Sequence, residues 1–250
     1  MEQRRSEIVN LVNRDGSVTF ARLKEVFPNV SEMTLRTDLK ALDQARRLVR
    51  VHGGAKSVTY VVGTDDILSR RENRNPGEKT AIAQKAVGLL RPNDVIFLDS
   101  GSTAMAFARQ IPDEDFLIFT TGIDCLRQLV QLKRPKIHIL GGEINPASMC
   151  VTGVRALLAM QNIRFDVAVL GTTGYTPREG FTCGGESDAA IKAAAVRQSE
   201  RAVMLMDSSK VGLASTFSFA NLGQLHTVVT DDGIDGDFRQ ACGKAGVQLL

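Results

Sequence analysis

Over the first fifty residues, apolar positions recur every three or four places; beyond about residue 95 they gather into short unbroken runs. The first pattern belongs to half-buried helices, the second to strands covered on both faces of a parallel sheet. Ile8, Leu11 and Val12 predict an amphipathic helix over residues 2–13, broken at Asp15-Gly16-Ser17. Leu23, Val26 and Phe27 predict a second short helix, stopped by Pro28-Asn29. Ser31 is a suitable N-cap for a third helix with the buried stripe Leu35, Leu39 and Leu42. At about 100° per residue, the opposite face carries Met33, Arg36, Thr37, Lys40 and Gln44. Residues 48–54 then alternate and break at two glycines, which suits a small β-wing. Helix, helix, turn, helix, wing is the winged helix-turn-helix plan. A protein-interaction module with a solvated polar face is the competing reading. The basic and hydroxyl side chains of the outer face favour DNA.

Residues 57–78 read as a connector holding one helix around 67–73. From Glu78 the rhythm changes to alternating helices and strands. Strands are expected at 95–98, 116–121, 136–140, 165–170, 202–206, 227–230 and, at an edge, 247–250. Helices are expected at 123–131, 154–160, 188–197 and 237–245. Alternation of this length requires an α/β fold with a parallel sheet and right-handed crossovers. The expected organisation is a winged helix-turn-helix domain over 1–57, a linker over 58–78 and an α/β domain over 79–250.

Charge sharpens this division. The net +3 separates into 11 Lys and Arg against 7 Asp and Glu in residues 1–57, and 20 against 21 in the remainder. The positive excess sits with the small N-terminal segment, as a nucleic-acid contact requires. The four cysteines are scattered, with no Cys-x-x-Cys pair and only three histidines, so neither a zinc site nor a disulfide framework is expected. No metal or cofactor is expected. No apolar run reaches the ~20 residues that cross a bilayer, and Met1-Glu-Gln-Arg-Arg opens no signal peptide, so the cytosol is the expected location.

Candidate chemistry gathers where strands end. Asp99 closes the 95–98 run, Ser100-Gly101-Ser102-Thr103 turns the chain, and an alanine-rich helix begins at once. Such a turn offers backbone N–H groups, hydroxyls and a positive dipole end together, the chemistry of a phosphate cradle. Taken alone, it is equally an ordinary capped turn. Ligands of open α/β sheets bind outside the carboxyl ends of the strands. There, Thr120-Thr121-Gly122, Gly141-Gly142, Gly171-Thr172-Thr173-Gly174 and Asp207–Lys210 are expected to converge on the Asp99 turn.

Ser31-Glu-Met-Thr34-Leu-Arg36-Thr-Asp38-Leu39, followed by Leu42 and Val51-His52-Gly53-Gly54-Ala55, resembles the DNA-binding signature of the DeoR family of bacterial transcriptional regulators. It departs at Thr37, where the family has a second basic residue, and in a turn at Pro28-Asn29-Val30 one residue long. The remainder is similar to that family's effector domain in Glu78-Lys79 before the first helix, Asp99-x-Gly-Ser-Thr103, Gly141-Gly142, Gly153, Gly180 and Asp207-x-x-Lys210. Thr120-Thr121 stands where the family has Thr-Asn. The resemblance implies a repressor of a sugar-utilisation operon controlled by a phosphorylated sugar or related metabolite. DNA would meet Ser31, Met33, Thr34, Arg36, Thr37, Lys40 and His52. The effector would meet Asp99, Ser100, Gly101, Ser102, Thr103, Thr121, Gly122, Gly171, Thr172, Gly174, Glu186, Lys192, Asp207 and Lys210. Arg71 and Lys79 stand where the family places residues of effector response, against the plainer reading of exposed helix charge. The expected partners are a double-stranded operator, a phosphorylated sugar and further copies of the chain, as a dimer or tetramer, with no membrane.

Catalysis is the alternative. The Gly-Ser-Thr turn and following helix are similar to pentose-phosphate isomerases, which need a carboxylate base. The 170–175 loop, Leu-Gly-Thr-Thr-Gly-Tyr, carries no carboxylate, and Ile191-Lys192 stands near where the base would be expected. A coenzyme A transferase-like enzyme lacks a nucleophilic glutamate. The expectation is therefore a sensor and not an enzyme.

Overall fold

The computed structural model describes residues 2–15, 17–45, 47–51, 53–57 and 68–250. The chain forms two compact units, residues 1–65 and 66–250.

In the first unit, α1 (Glu2–Asp15), α2 (Phe20–Val26) and α3 (Glu32–Gln44) pack with a three-stranded antiparallel sheet. Its strands are β1 (Ser17–Thr19), β2 (Val49–Val51) and β3 (Gly54–Lys56), in the order β1-β3-β2. Ile8, Val12, Leu23 and Leu35 are fully buried at its centre, and Leu39 and Leu42 continue the stripe of α3. Ser31 Oγ accepts from Thr34 N–H at 3.1 Å, the expected N-cap. One feature differs from the sequence reading. The break after α1 is followed by a strand, because Val18 pairs with Ala55 and so completes the wing. Gly54 belongs there because a Cβ would overlap the Val18 carbonyl. Asp38 is also buried, among the leucines of α3.

The second unit begins with α4 (Leu68–Glu72), the helix expected around 67–73, and α5 (Pro76–Val87), whose first turn reaches into the segment read as a linker. Glu78 and Lys79 therefore lie inside a helix and not before it. Asn75, in the left-handed region at φ 48°, turns the chain into Pro76 at the first helical position, where a missing N–H costs nothing. A seven-stranded parallel sheet follows in the order β15-β14-β12-β9-β4-β5-β6. Its strands are β4 (Val95–Leu98), β5 (Leu117–Thr120), β6 (Lys136–Ile139), β9 (Phe165–Gly171), β12 (Ser199–Leu205), β14 (Thr227–Val229) and β15 (Gln248–Leu249). The helices α6 (Ser102–Ala108), α7 (Ile123–Leu129), α8 (Val154–Met160), α9 (Glu186–Gln198) and α10 (Gly236–Ala245) cover it.

Alternate residues of one strand feed two cores. Ile96 and Leu98 join α5, α6 and α7 on one face, while Phe97 joins α8, α9 and α10 on the other. That is why these runs are apolar without alternation. Two small antiparallel pieces were not legible in the sequence: the hairpin β7 (Glu143–Asn145) with β8 (Cys150–Thr152), and the sheet β10 (Gly174–Thr176), β11 (Gly180–Cys183) and β13 (Phe217–Ala220). Strands of three or four residues carry too little pattern to separate from loops. From β4 the chain runs outward through β5 and β6, then resumes on the other side with β9, β12, β14 and β15. The order reverses between β4 and β9, the topological switch point where α/β sheets open a crevice.

Candidate functional site

On α3 the outer face is as expected: Met33, Arg36, Thr37 and Lys40 are exposed, and Met33 keeps 74% of its surface. The hydroxyls are partly committed. Ser31 Oγ and Thr34 Oγ1 lie 2.8 Å apart, and Thr37 Oγ1 donates to the Met33 carbonyl at 2.9 Å. They retain acceptor lone pairs, whereas Arg36 and Lys40 bring charged donors. The Arg36 guanidinium lies 4.6 Å from the Phe20 ring centroid and 4.0 Å from Glu32. His52 lies outside the described residues.

In the second unit, Asp99 ends β4 at the switch point and is wholly buried. Its Oδ2 accepts from Gly171 N–H at the end of β9, at 2.8 Å, and from Lys192 Nζ of α9. Lys192, 4% exposed, also donates to the Gly171 carbonyl at 3.2 Å and lies 3.6 Å from Asp188. Burial opposes the ammonium charge, but Asp188 and Asp99 outweigh it and hold Lys192 above its usual range. Burial pushes the Asp188 carboxyl up, against the pull of Lys192. Of the buried side-chain polar atoms without a partner among the described residues, three lie around the ends of β4 and β5 and the Gly101 turn: Asp99 Oδ1, Thr121 Oγ1 and Arg71 Nε. Buried polar atoms are nearly always satisfied, so unpartnered ones at strand ends mark a place for ligand atoms. Gly101, at φ 100°, needs the conformational freedom of glycine, and a Cβ there would sit 3.8 Å from Arg71 Nη1. Ser102, Thr103 and Ala104 open α6, and the first amides of a helix have no intrahelical acceptor.

A second cluster lies at the end of β12. Asp207 caps the short 3₁₀ turn Ser208–Lys210 through Ser209 N–H, and Asn75 Nδ2 donates to Asp207 Oδ1 at 3.0 Å and to Ser209 Oγ at 3.2 Å. Lys79 is buried and not an exposed helix charge; its Nζ donates to the carbonyls of Arg71 and Arg74. Burial brings the Lys79 ammonium down to about 8, against Asp207, while Lys210 and Arg71 add like charge. The chain from Arg71 to Lys79 is thus tied to the Asp207 turn.

Other expected site residues have roles within the fold. Thr172 Oγ1 lies 2.8 Å from the Gly174 carbonyl and 3.0 Å from the Thr182 carbonyl, with one proton to donate between them. Gly174 makes room for the Leu213 carbonyl, and Gly122 for Cys125 and Ser100. Glu186 is exposed in the first turn of α9, whereas Asp188 two places on is half-buried and faces Lys192. Asp188 was missed although its four-residue spacing from Lys192 was visible; Ser209 lies within the expected Asp207–Lys210 segment, whereas Asn75 carried no signal. All four cysteines are buried and unbridged.

A winged helix-turn-helix unit with a basic outer face, followed by an α/β unit with unpartnered polar groups at its switch point, defines the class: a helix-turn-helix transcriptional regulator with a C-terminal sensor domain. Residues 4–61 match the DeoR-like helix-turn-helix domain and residues 74–232 the DeoR C-terminal sensor domain. The chain belongs to the DeoR family. It is 32% identical to the uncharacterized HTH-type transcriptional regulator FruR of Bacillus subtilis, over 92% of this chain and 90% of that one. It is 30% identical to the HTH-type transcriptional regulator GlpR of Haloferax volcanii, over 99% and 96%. Among solved structures, ribose 5-phosphate isomerase A of Methanocaldococcus jannaschii aligns with a TM-score of 0.41 at 20% identity, over 55% of each chain. Likeness at that level says nothing about chemistry.

Proposed function

We propose that this chain is a cytosolic, sugar-phosphate-responsive repressor that binds its operator as a homo-oligomer. The observation that carries the reading is the trio of buried, unpartnered atoms at the strand ends, in a chain that begins with a helix-turn-helix unit. A polyol hydroxyl suits Asp99 Oδ1 and Thr121 Oγ1; a phosphate suits the amides opening α6, the hydroxyls of Ser100, Ser102 and Thr103, and the Arg71 guanidinium beside Gly101. Lys192 is held by two carboxylates and so orients Asp99 rather than receiving phosphate. Lys210 supplies further positive charge near Lys79. Two recognition helices on successive major-groove faces, ~34 Å apart, call for at least a dimer. Among the described residues no helix is long and apolar enough to cross a membrane, which suits a cytosolic regulator.

One observation favours a second reading. Asp188, its carboxyl pushed up by burial beside Lys192, has the environment of an acid–base group, as an isomerase-like enzyme would need. Against it stand the carboxylate-free 170–175 loop and a Lys192 that keeps its proton. One experiment separates the two. The full chain is screened by thermal shift against pentose and hexose phosphates, and each stabilising compound is followed for aldose–ketose conversion. Stabilisation without conversion supports the sensor; turnover near 1 per second or faster would establish an enzyme.

A further inference from the structure

We propose that Asp38 is a positioning residue for DNA reading: with Arg4 and Arg5 it sets the rotation of α3, and hence where Arg36 reaches in the groove. The inference rests on the reading of α3 as the groove helix. Asp38 is 2% exposed on the inner face of that helix, between Leu35, Leu39 and Leu42. Its two oxygens are taken by two consecutive residues of α1: Arg4 Nε donates to Oδ2 at 2.6 Å and Arg5 Nε to Oδ1 at 2.8 Å. Burial alone would raise the carboxyl, but the two guanidinium hydrogen bonds outweigh it and hold Asp38 below the ordinary carboxylate range.

A leucine at this position would bury more apolar surface without the desolvation cost of a charge, so stability alone does not explain a carboxylate here. Direction does. Contact between leucine stripes is non-directional and tolerates rotation of one helix on another. Two charge-assisted hydrogen bonds from neighbouring positions, about 100° apart around α1, do not. They fix both oxygens of a side chain with two torsions. The consequence lies on the far side of α3. Side-chain tips stand ~6 Å from the helix axis, so a rotation of about 20° carries them ~2 Å, enough to break a hydrogen bond to a base edge. Contacts to phosphates, through long mobile lysines and arginines, are far less sensitive to such a shift. Asp38 therefore governs specificity more than overall affinity.

The test uses the full chain and a duplex enriched by the parent protein from a random-sequence pool, with a scrambled duplex of equal length beside it. Asp38→Asn keeps the size but loses the charge; Arg4→Lys with Arg5→Lys keeps the charge but loses the planar Nε donors. Each is measured for affinity on both duplexes, with helix content and melting followed by circular dichroism. The expected result is a loss of about ten-fold or more on the selected duplex, as for one lost base contact, and less than roughly two-fold on the scrambled one, with the fold intact. If Asp38→Asn fails to fold, the arginine pair decides by the same two ratios. Equal losses on both duplexes, or none, overturn the proposal. Arg36→Ala is measured alongside. If it leaves selected binding unchanged, the groove reading itself fails and this inference falls with it; if it weakens that binding while Asp38→Asn does not, only the positioning role falls.

Discussion

Replacing Lys192 by Met tests whether the strand-end cluster is the charge-balanced arrangement described. Met matches the length of the aliphatic stem but removes the cation that faces Asp99, which is wholly buried, and Asp188, which keeps 24% side-chain exposure. Asp188 can recover water; Asp99 cannot. Breaking a buried ion pair on one side costs about 3–5 kcal/mol, because the remaining charge stays desolvated. For a unit of this size, each kcal/mol lowers the melting temperature by roughly 2–4 °C, so a fall of about 6–20 °C is expected. Scanning calorimetry of the full chain reads it as the transition of the α/β unit. Adding Asp99→Asn to Lys192→Met should then restore at least ~1 kcal/mol, because the amide oxygen still accepts from Gly171 N–H and needs no counter-charge. A single variant within ~1 kcal/mol of the parent, or a double variant with no recovery, would refute the reasoning.

Arg36→Ala should lose about 1–3 kcal/mol on the selected duplex and little on a scrambled one, whereas Lys40→Ala should weaken both alike and lower the salt slope by about one, both read by fluorescence anisotropy across a salt series. The Lys79 ammonium is depressed to about 8 from 10.5, so between those values the unfolded chain holds more protons than the folded one. Stability should therefore rise with pH across that window in the parent relative to Lys79→Met, and parallel melting curves for the two proteins from pH 7 to 10 would contradict it. Gly174→Ala should cost about 1–3 kcal/mol because its Cβ would overlap the Leu213 carbonyl, while Gly223→Ala, which faces open space, should be nearly neutral in the same denaturant titration.

The sequence was most legible where one physical effect acts alone. The α3 stripe follows from burial at helical spacing, and the Val95–Leu98 run from burial on both faces, so both elements stood where expected. It was least legible where a partner far along the chain decides. Asp38 looks like a solvated helix charge until Arg4, 34 residues away, is brought against it. Lys192 is among the expected effector contacts, but its tie to Asp99, 93 residues away, could not be read from spacing. Ser17–Thr19 becomes a strand only because β3 lies beside it. Glu186 and Asp188 both stand in the first turn of α9, and only the four-residue spacing from Asp188 to Lys192 marks which of the two carboxylates meets that lysine.

The central claim, that a ligand at the β4–β9 switch point controls DNA binding, is tested most directly by duplex affinity with and without the sugar phosphate that stabilises the parent most. The variants are Asp99→Asn, which withdraws a carboxylate oxygen from the ligand, and Lys210→Ala, which withdraws a charge. Moving the protein from mostly bound to mostly free requires about 5 kcal/mol of preference for one conformation, within reach of a few charge-assisted contacts at about 1.5–3 kcal/mol each. The account predicts that the parent's affinity changes by orders of magnitude with ligand, while both variants bind the duplex as the parent does and lose most of the response. A parent indifferent to every sugar phosphate, or variants that respond as fully as the parent, would contradict it.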